Sequence, residues 1–180
     1  MKAYKYDIVF LGSRYNGKDQ FSTSVKQHNA KLREDTVLAL AAHFKERFGL
    51  FGRGWGDTVQ PVRLQDAATI YKDCLIGLSI SLVDYECYTS DRLFRILGCG
   101  ALLLVKSFPD MSVLGLRHGE NCLAWETPEE AVTLAKDALA NHDTLDGIAQ
   151  AGAKLAREHH TWQVRMHELA AYVDAVRRTR

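Results

Sequence analysis

Residues 90–105 read SDRLFRILGCGALLLV, and this stretch decides the class of fold. Ser90 is a favoured helix N-cap, and the glycines at 98 and 100 are typical of a helix stop. The apolar run ALLLV at 101–105 then lacks any polar alternation, which predicts a strand buried on both faces. A helix that leads directly into such a strand is typical of a parallel sheet covered by helices.

The alternation of apolar strands and amphipathic helices continues on both sides of this stretch. The elements predicted upstream are a strand at 6–11, a helix whose stripe runs over 37–48 and stops at Gly49, a strand at 50–51, a short helix at 64–71 and a strand within 74–82. Downstream, the pattern predicts a weaker strand at 121–125 and three helices over about 128–178. We therefore predict an α/β fold with a doubly wound, mainly parallel, Rossmann-like sheet, helices on both faces and extra C-terminal helices.

The last of these helices is predicted from one apolar stripe that follows Thr161. We expect Thr161 to cap the helix and Trp162 to anchor it on the hydrophobic core. The neighbouring pair His159 and His160 does not predict a metal site, because adjacent residues point to different faces of a helix. The stripe consists of Trp162, Met166, Leu169, Val173 and Val176.

Length and composition exclude several classes of protein. The chain has 180 residues, which predicts a single domain over 1–180, and its formal net charge of +1 argues against a general binder of nucleic-acid backbones. No apolar run approaches the roughly 20 residues of a membrane span, and the first residues lack the apolar core of a signal peptide. Four scattered cysteines without a CxxC pair favour a reducing cytoplasm.

Two loops at predicted strand ends carry residues suited to phosphate binding. In GSRYNGK at 12–18, Gly12 lets the backbone approach a phosphate, while Arg14 and Lys18 supply positive charge. The alternative is a flexible surface loop whose cations are solvated. A third loop places Trp55 among glycines, where the ring either stacks on a nucleobase or packs at the sheet edge.

The second of the two loops suited to phosphate binding is the segment that leads into the helix at residue 90. Exposed amides at a helix start attract anions, Thr89 and Ser90 add hydroxyl donors, and Arg92 can hold phosphate oxygens in a fork. In the alternative interpretation, Ser90 or Asp91 merely caps the helix, and Arg92 pairs with a nearby carboxylate.

Three segments of the chain resemble the C-terminal half of group 1 glycosyltransferases, which have the GT-B fold, and they follow one another in the order of that family. The similarity favours their CgeB-like subgroup. More loosely matching pieces are FLGS at 10–13, Arg33 and LFGRGW at 50–55. The three segments are SDRLFRILGCGALLL at 90–104, FPD with HGENCLAWETPEEA within 108–131, and HHTWQVRM at 159–166.

This resemblance implies that the chain is the donor-binding half of a GT-B glycosyltransferase. Such an enzyme transfers a sugar from a nucleotide-diphosphate sugar to an acceptor, without a metal or other cofactor. By the resemblance, the diphosphate and sugar meet the loop of Tyr88, Thr89, Ser90 and Arg92. Gly12 and Ser13 border the same phosphates, and Trp55 lies near the base. The acceptor is unknown, and its half of the fold is supplied by a missing N-terminal domain or a partner chain.

The sequence departs from the family pattern at two acidic positions. Arg95 occupies the place where many group 1 enzymes carry a ribose-binding glutamate, and an arginine cannot accept hydrogen bonds from hydroxyls. The partner acid falls at Cys87, with Glu86 beside it. Glu86 and Arg92 are the candidates for a catalytic role. The alternatives are a module that binds a nucleotide, nucleotide sugar or partner without catalysis, and, on fold analogy alone, a flavodoxin-like cofactor binder.

Overall fold

The computed structural model describes residues 4–15, 24–86 and 88–178. Within these ranges the strands form one five-stranded, fully parallel sheet in the order β2-β1-β3-β4-β5. The strands are β1 (Tyr6–Leu11), β2 (Phe48–Phe51), β3 (Cys74–Ser79), β4 (Leu102–Lys106) and β5 (Leu123–Trp125). The helices are α1 (Ser24–Phe44), α2 (Ala67–Tyr71), α3 (Asp91–Cys99), α4 (Pro128–Ala140), α5 (His142–His159) and α6 (Trp162–Arg178). Short 3₁₀ turns cover Lys45–Arg47 and Leu64–Asp66.

Both faces of the sheet are covered, as the unbroken apolar strands predicted. Successive side chains of a strand point to opposite faces, so Ile8 and Phe10 pack with α1 and α4 while Val9 packs with α2 and α3. Helix α5 contributes its first half to one core and its second half to the other. The doubly wound α/β architecture is therefore confirmed.

The parallel topology brings the carboxyl ends of β1, β2, β3 and β4 to one edge of the sheet. Leu11 pairs with Phe51, and Ser79 pairs with Val105, so neighbouring strands end almost level. The loops that follow these strands therefore meet above the same edge. In open α/β sheets this edge is where ligands bind.

The predicted helix boundary near Gly49 is wrong. Helix α1 ends at Phe44, Lys45 adopts a left-handed φ of +48°, and Phe48 and Gly49 are the first residues of β2. Phe48 pairs with Ile8 of β1 and is buried there. The residue fits the spacing of the helical stripe, but its burial comes from the sheet.

The predicted anchoring of α6 by Trp162 is also wrong. Thr161 does cap the helix, because its Oγ1 accepts a hydrogen bond from the Val164 N–H at 3.3 Å. Trp162, however, is 85% exposed. Over Trp162–Arg178, all of which the structure describes, no side chain is buried. No helix in the described part of the chain is long and apolar enough to cross a membrane.

A glycine in β3 sets the distance between the sheet and α3. A Cβ on Gly77 would lie 2.6 Å and 2.7 Å from two side-chain carbons of Ile96. We expect Gly77→Ala to lower the free energy of unfolding by about 1–3 kcal/mol, because α3 must shift away from the sheet. Chemical denaturation measured by circular dichroism tests this.

The matched control is Gly147→Ala in α5. A Cβ at this exposed position meets nothing within 4 Å, so the substitution should raise stability by about 0.5–1 kcal/mol through better helix propensity. Equal effects of the two substitutions would contradict the close packing of Gly77 against Ile96.

Candidate functional site

The loops after β1 and β2 are fastened to each other at the carboxyl edge. The Gly12 N–H donates to the Phe51 carbonyl at 2.8 Å, and the Trp55 Nε1–H donates to the Gly12 carbonyl at 2.7 Å. Gly52 has a φ of +139°, and a Cβ there would lie 2.2 Å from the Gly12 oxygen. Only glycine therefore fits at Gly52, and the two loops approach as closely as backbone allows.

Arg92 joins the start of α3 to the ends of two strands. Ser90 caps the helix by accepting a hydrogen bond from the Arg92 N–H. The Arg92 guanidinium donates from Nε to the Leu11 carbonyl at 2.7 Å and from Nη1 to the Ile80 carbonyl at 3.1 Å. These bonds hold the side chain across the carboxyl edge and leave it without a carboxylate at hydrogen-bond distance among the described residues.

A second arginine reaches the same carbonyl from α1. Arg33 is only 4% exposed and donates from Nη2 to the Ile80 carbonyl at 2.6 Å and from Nη1 to the Ser13 carbonyl at 3.2 Å. Its Cζ lies 5.8 Å from the centre of the Phe10 ring, and the Cζ of Arg92 lies 5.3 Å from the same centre. Two guanidinium groups thus share one carbonyl and one aromatic ring.

The two arginines carry positive charge, buried at Arg33 and half-buried at Arg92, with which no carboxylate of the described residues forms an ion pair. Burial, followed by the like charge of Arg92, lowers the pKa of Arg33 to about 9, so the group stays protonated at neutral pH. Burial also lowers the pKa of Arg92 from its ordinary value. The buried Arg33 Nε has no hydrogen-bond partner in the part of the chain described. Buried charges normally have a partner, so this arrangement is suited to an anion.

Both arginines line a cavity of about 340 Å³, called here the anion cavity. Its other walls come from the loops after β1 and β3, and none of the described residues that line it is acidic. Hydroxyl groups and backbone complete the lining. The residues are Gly12, Ser13, Tyr15, Arg33, Ser81, Leu82, Tyr88, Ser90 and Arg92.

A second cavity of about 400 Å³, called here the side cavity, shares Gly12, Ser13 and Arg92 with the anion cavity. It is bounded by the loop after β2, by α2 and by the start of α3, and Pro61, Val62 and Leu64 give it an apolar wall. Among its lining residues is Tyr71, whose buried hydroxyl has no hydrogen-bond partner within the described ranges. The two cavities adjoin at these shared residues and are together called the groove.

Arg95 also lines the side cavity, but it is paired. Its Nε and Nη2 donate to Asp91 Oδ2 at 3.0 Å and 2.8 Å. This intrahelical ion pair leaves both residues at the cavity wall.

Some of the predicted residues that the structure describes do not line the groove. Arg14 donates to Glu34 at 2.6 Å, and its Cζ lies 6.0 Å from the centre of the Trp55 ring. Neither Arg14 nor Trp55 lines a described cavity. The Trp55 ring packs against Phe10. Glu86 is exposed, and Lys18 lies outside the described residues. Thr89 lines a third cavity. The predicted residues that line the groove are Gly12, Ser13, Tyr88, Ser90, Arg92 and Arg95.

Sequence reasoning missed Arg33 and Tyr71 as candidate site residues. Arg33 stands four residues before Val37 and seven before Leu40, on the buried stripe of α1. Because arginine is rarely buried, an arginine on the buried stripe of a helix indicates a functional charge. The spacing of Arg33 could therefore have predicted it as a site residue. Tyr71 closes a short apolar helix and gives no comparable signal.

The third cavity, of about 630 Å³, lies between α3 and the turn from α5 to α6. His160 in this turn donates from Nε2 to the Leu114 carbonyl at 2.9 Å and accepts at Nδ1 from Arg165 at 2.7 Å. Its ring centre lies 4.8 Å from that of Phe94. His160, and not Trp162, therefore fixes the start of α6. No group of three metal-ligating side chains occurs among the residues described.

The sequence of this chain is similar to a family of known proteins. Residues 33–171 match the sequence family described as glycosyl transferase-like. The chain belongs to this glycosyl transferase-like family. No curated protein matches the sequence significantly. The matched range includes Arg33, Arg92 and the turn at His160.

Solved glycosyltransferase structures share the fold. HepE of Anabaena, crystallised with UDP and glucose, has a TM-score of 0.67 at 11% identity over 95% of this chain and 49% of its own. The corresponding values for Thermosynechococcus elongatus sucrose-phosphate synthase are 0.60, 13%, 98% and 47%. The C-terminal domain of the Francisella tularensis group 1 glycosyl transferase LpcC gives 0.56, 10%, 88% and 88%.

These comparisons confirm the predicted GT-B half. The five-stranded parallel sheet with its helices is the Rossmann-like half of that fold. This chain spans about half the length of HepE and of sucrose-phosphate synthase, and most of the LpcC domain.

The environment of His160 predicts a pH dependence of stability. Burial lowers the pKa of His160 below its usual value of 6.5, and the nearby Arg165 and His159 act in the same direction, while Leu114 and Glu168 oppose it. The folded protein therefore favours the neutral ring. The stabilisation is complete above about pH 6.5 and is lost as the pH falls below that value, because protonation removes the acceptor for Arg165.

The measurement is urea unfolding of wild type and His160→Gln at pH 7.5 and pH 5. The wild type should lose its advantage over the variant at the lower pH. The control is Gln150→Ala at an exposed position of α5, which changes no titratable group, so its difference from wild type should not change with pH. A His160→Gln difference that stays constant would contradict the assignment.

Proposed function

We propose that this chain is the donor-binding domain of a glycosyltransferase that uses a nucleotide-diphosphate sugar. One observation carries the proposal: two guanidiniums, that of Arg33 buried and that of Arg92 half-buried, line a cavity at the carboxyl edge whose described lining contains no acid. A diphosphate supplies the counter-charge that these groups lack. Family membership makes the sugar nucleotide the natural carrier of that diphosphate.

The shape of the groove orients the donor. The diphosphate would lie at the wall shared by both cavities, against Arg92, Gly12 and Ser13. The nucleoside would extend into the side cavity, whose apolar wall suits a base and whose Tyr71 hydroxyl has no hydrogen-bond partner among the described residues. The sugar would then reach the loop of Tyr88 and Ser90. UDP is the first nucleotide to test, because HepE, which shares the fold, was crystallised with UDP and glucose.

The arginines would act on the leaving group. In the transfer, the bond from the anomeric carbon to the diphosphate breaks, its electron pair goes to the phosphate oxygen, and an acceptor hydroxyl oxygen forms the new bond. Arg33, Arg92 and the N-terminus of α3 would stabilise the charge that grows on the diphosphate. We therefore propose that the reaction needs neither a metal nor another cofactor.

Transfer also needs a base that takes the proton of the acceptor hydroxyl. Glu86 is exposed and lines none of the three cavities, so we propose that the base taking the acceptor proton comes from an acceptor half or a partner chain. Assignment to the CgeB-like subgroup and a cytoplasmic location are further parts of this proposal. They rest on the motif at residues 90–104 and on the scattered cysteines.

A specific observation favours a second candidate, a module that binds a nucleotide or nucleotide sugar without transfer. Arg95, in the place of a ribose-binding acid, is engaged with Asp91 and cannot accept from ribose hydroxyls. Release of free sugar or transfer by the 180-residue chain would exclude this candidate. Donor binding without either reaction would favour it.

Calorimetry of nucleotide binding tests the proposal. UDP, GDP, ADP and dTDP, with their sugar conjugates, are titrated against the wild type and Arg92→Gln. For the nucleotide that binds, Arg92→Gln should lower the affinity by about 10–100-fold, because a charge-assisted hydrogen bond is lost, while the free nucleoside binds almost unchanged. If Arg92→Gln does not fold, Arg33→Lys, which keeps the positive charge, is titrated with the same nucleotides instead.

The matched control is Arg117→Gln, which removes one positive charge from an exposed side chain that lines no described cavity. It should bind the diphosphate like wild type. Equal losses for nucleoside and diphosphate would reassign Arg92 to a structural role. The absence of binding by every nucleotide at millimolar concentration would overturn the proposal.

A further inference from the structure

The third cavity is the largest of the three described, and the proposed donor site does not use it. It lies on the outer side of α3, against the turn that joins α5 to α6. Its lining combines aromatic rings with hydroxyl, carboxylate and guanidinium groups. The residues are Thr89, Asp91, Phe94, Arg95, His160, Thr161, Trp162 and Arg165.

The loop before α3 separates this cavity from the anion cavity. Tyr88, Ser90 and Arg92 line the anion cavity, whereas Thr89 and Asp91 line the third cavity. Ser90 has extended backbone angles, in which successive side chains point to opposite sides. Asp91 and Arg95 also line the side cavity. A ligand in the third cavity would therefore lie across one layer of residues from the donor.

The aromatic part of the lining is open to solvent. Trp162 is 85% exposed although it lines the cavity, and Phe94, another lining residue, packs against the ring of His160. The indole face is thus available to a ligand that enters from solution. An aromatic ring of this kind binds an apolar surface and leaves the polar edges of the ligand free to reach other groups.

Each of the two arginines in the lining is paired with a carboxylate. Arg95 donates twice to Asp91 Oδ2, and Arg165 donates to Glu168 at 2.7 Å as well as to His160. Unlike Arg33 and Arg92, these arginines already have carboxylate partners, so the cavity does not demand an anion. Asp91 is an exposed carboxylate with lone pairs left for hydroxyl donors, and Thr89 and Thr161 can donate or accept.

We propose that the third cavity binds a neutral pyranose of the acceptor saccharide. A pyranose has an apolar C–H face that fits Trp162 and a rim of hydroxyls that fits Asp91 and the two threonines. A flat nucleobase would use the indole but would leave the carboxylate and hydroxyls poorly matched. The role as an acceptor subsite rests on the proposed function, because it requires a donor across the loop.

Saturation-transfer NMR on the 180-residue chain is the test. The probes are methyl pyranosides of glucose, galactose, mannose and N-acetylglucosamine, with their short oligosaccharides. At least one should bind with millimolar affinity and receive saturation mainly at its C–H face. Trp162→Ala should weaken this binding about 10-fold or more, and Asp91→Asn about 3–10-fold.

The matched control is Leu169→Ala, which removes an exposed apolar side chain from the same helix outside the cavity and should leave saccharide binding unchanged. Absence of binding by every saccharide, insensitivity to Trp162→Ala, or displacement of the saccharide by UDP would each overturn the inference.

The two proposals fail in different ways. Binding of UDP without any saccharide contradicts only the third-cavity site. Saccharide binding that depends on Trp162, in a chain that binds no nucleotide, overturns the donor function and the acceptor role but retains the site itself.

Discussion

Two like charges meet beside the Ile80 carbonyl, one on the buried Arg33 and one on the half-buried Arg92, and the surrounding loops are arranged around them. A buried guanidinium needs hydrogen-bond acceptors, and Arg33 and Arg92 find them in the backbone at the ends of β1 and β3. The chain is held at Leu11, Ser13 and Ile80 by these bonds. The same bonds that position the arginines thus also shape the loops around them, and site and scaffold cannot be varied independently.

Close packing of the loops follows from this constraint. A Cβ on Gly12 would lie 2.7 Å from the Phe10 ring and 3.0 Å from an Arg92 nitrogen, so a larger residue would push the guanidinium off its carbonyls. Gly52 admits no Cβ for a related reason, its contact with the Gly12 oxygen. The Trp55 indole closes the arrangement from outside by its bond to the same oxygen. The glycines at this edge serve the packing of backbone and arginine as much as access for a ligand.

Most of the fold could be predicted from the sequence because each element has a strong local pattern. Residues 90–105 predict both α3 and β4, whereas the end of α1 and the start of β2 were wrong, since Phe48 fits a helical stripe and a strand equally well. The site was less accessible. Gly12 and Ser13 follow the end of β1 and Arg92 lies in the first turn of α3, so local patterns pointed to them, whereas Arg33 reaches the cavity from α1. Trp162 was misplaced because apolar spacing along α6 cannot reveal that nothing in the described chain buries it.

The order of the strands has a consequence for the folding of the chain. β1 lies between β2 and β3, and Arg92 bonds to Leu11, 81 residues earlier. The anion cavity therefore cannot exist until the chain through α3 has been made and the sheet has closed around its first strand. Contacts of such sequence separation form slowly, because a large loop must close before they give any stabilisation. A phosphate-bearing ligand would recognise only molecules that had completed this step, so binding would report the native topology and draw late intermediates towards it.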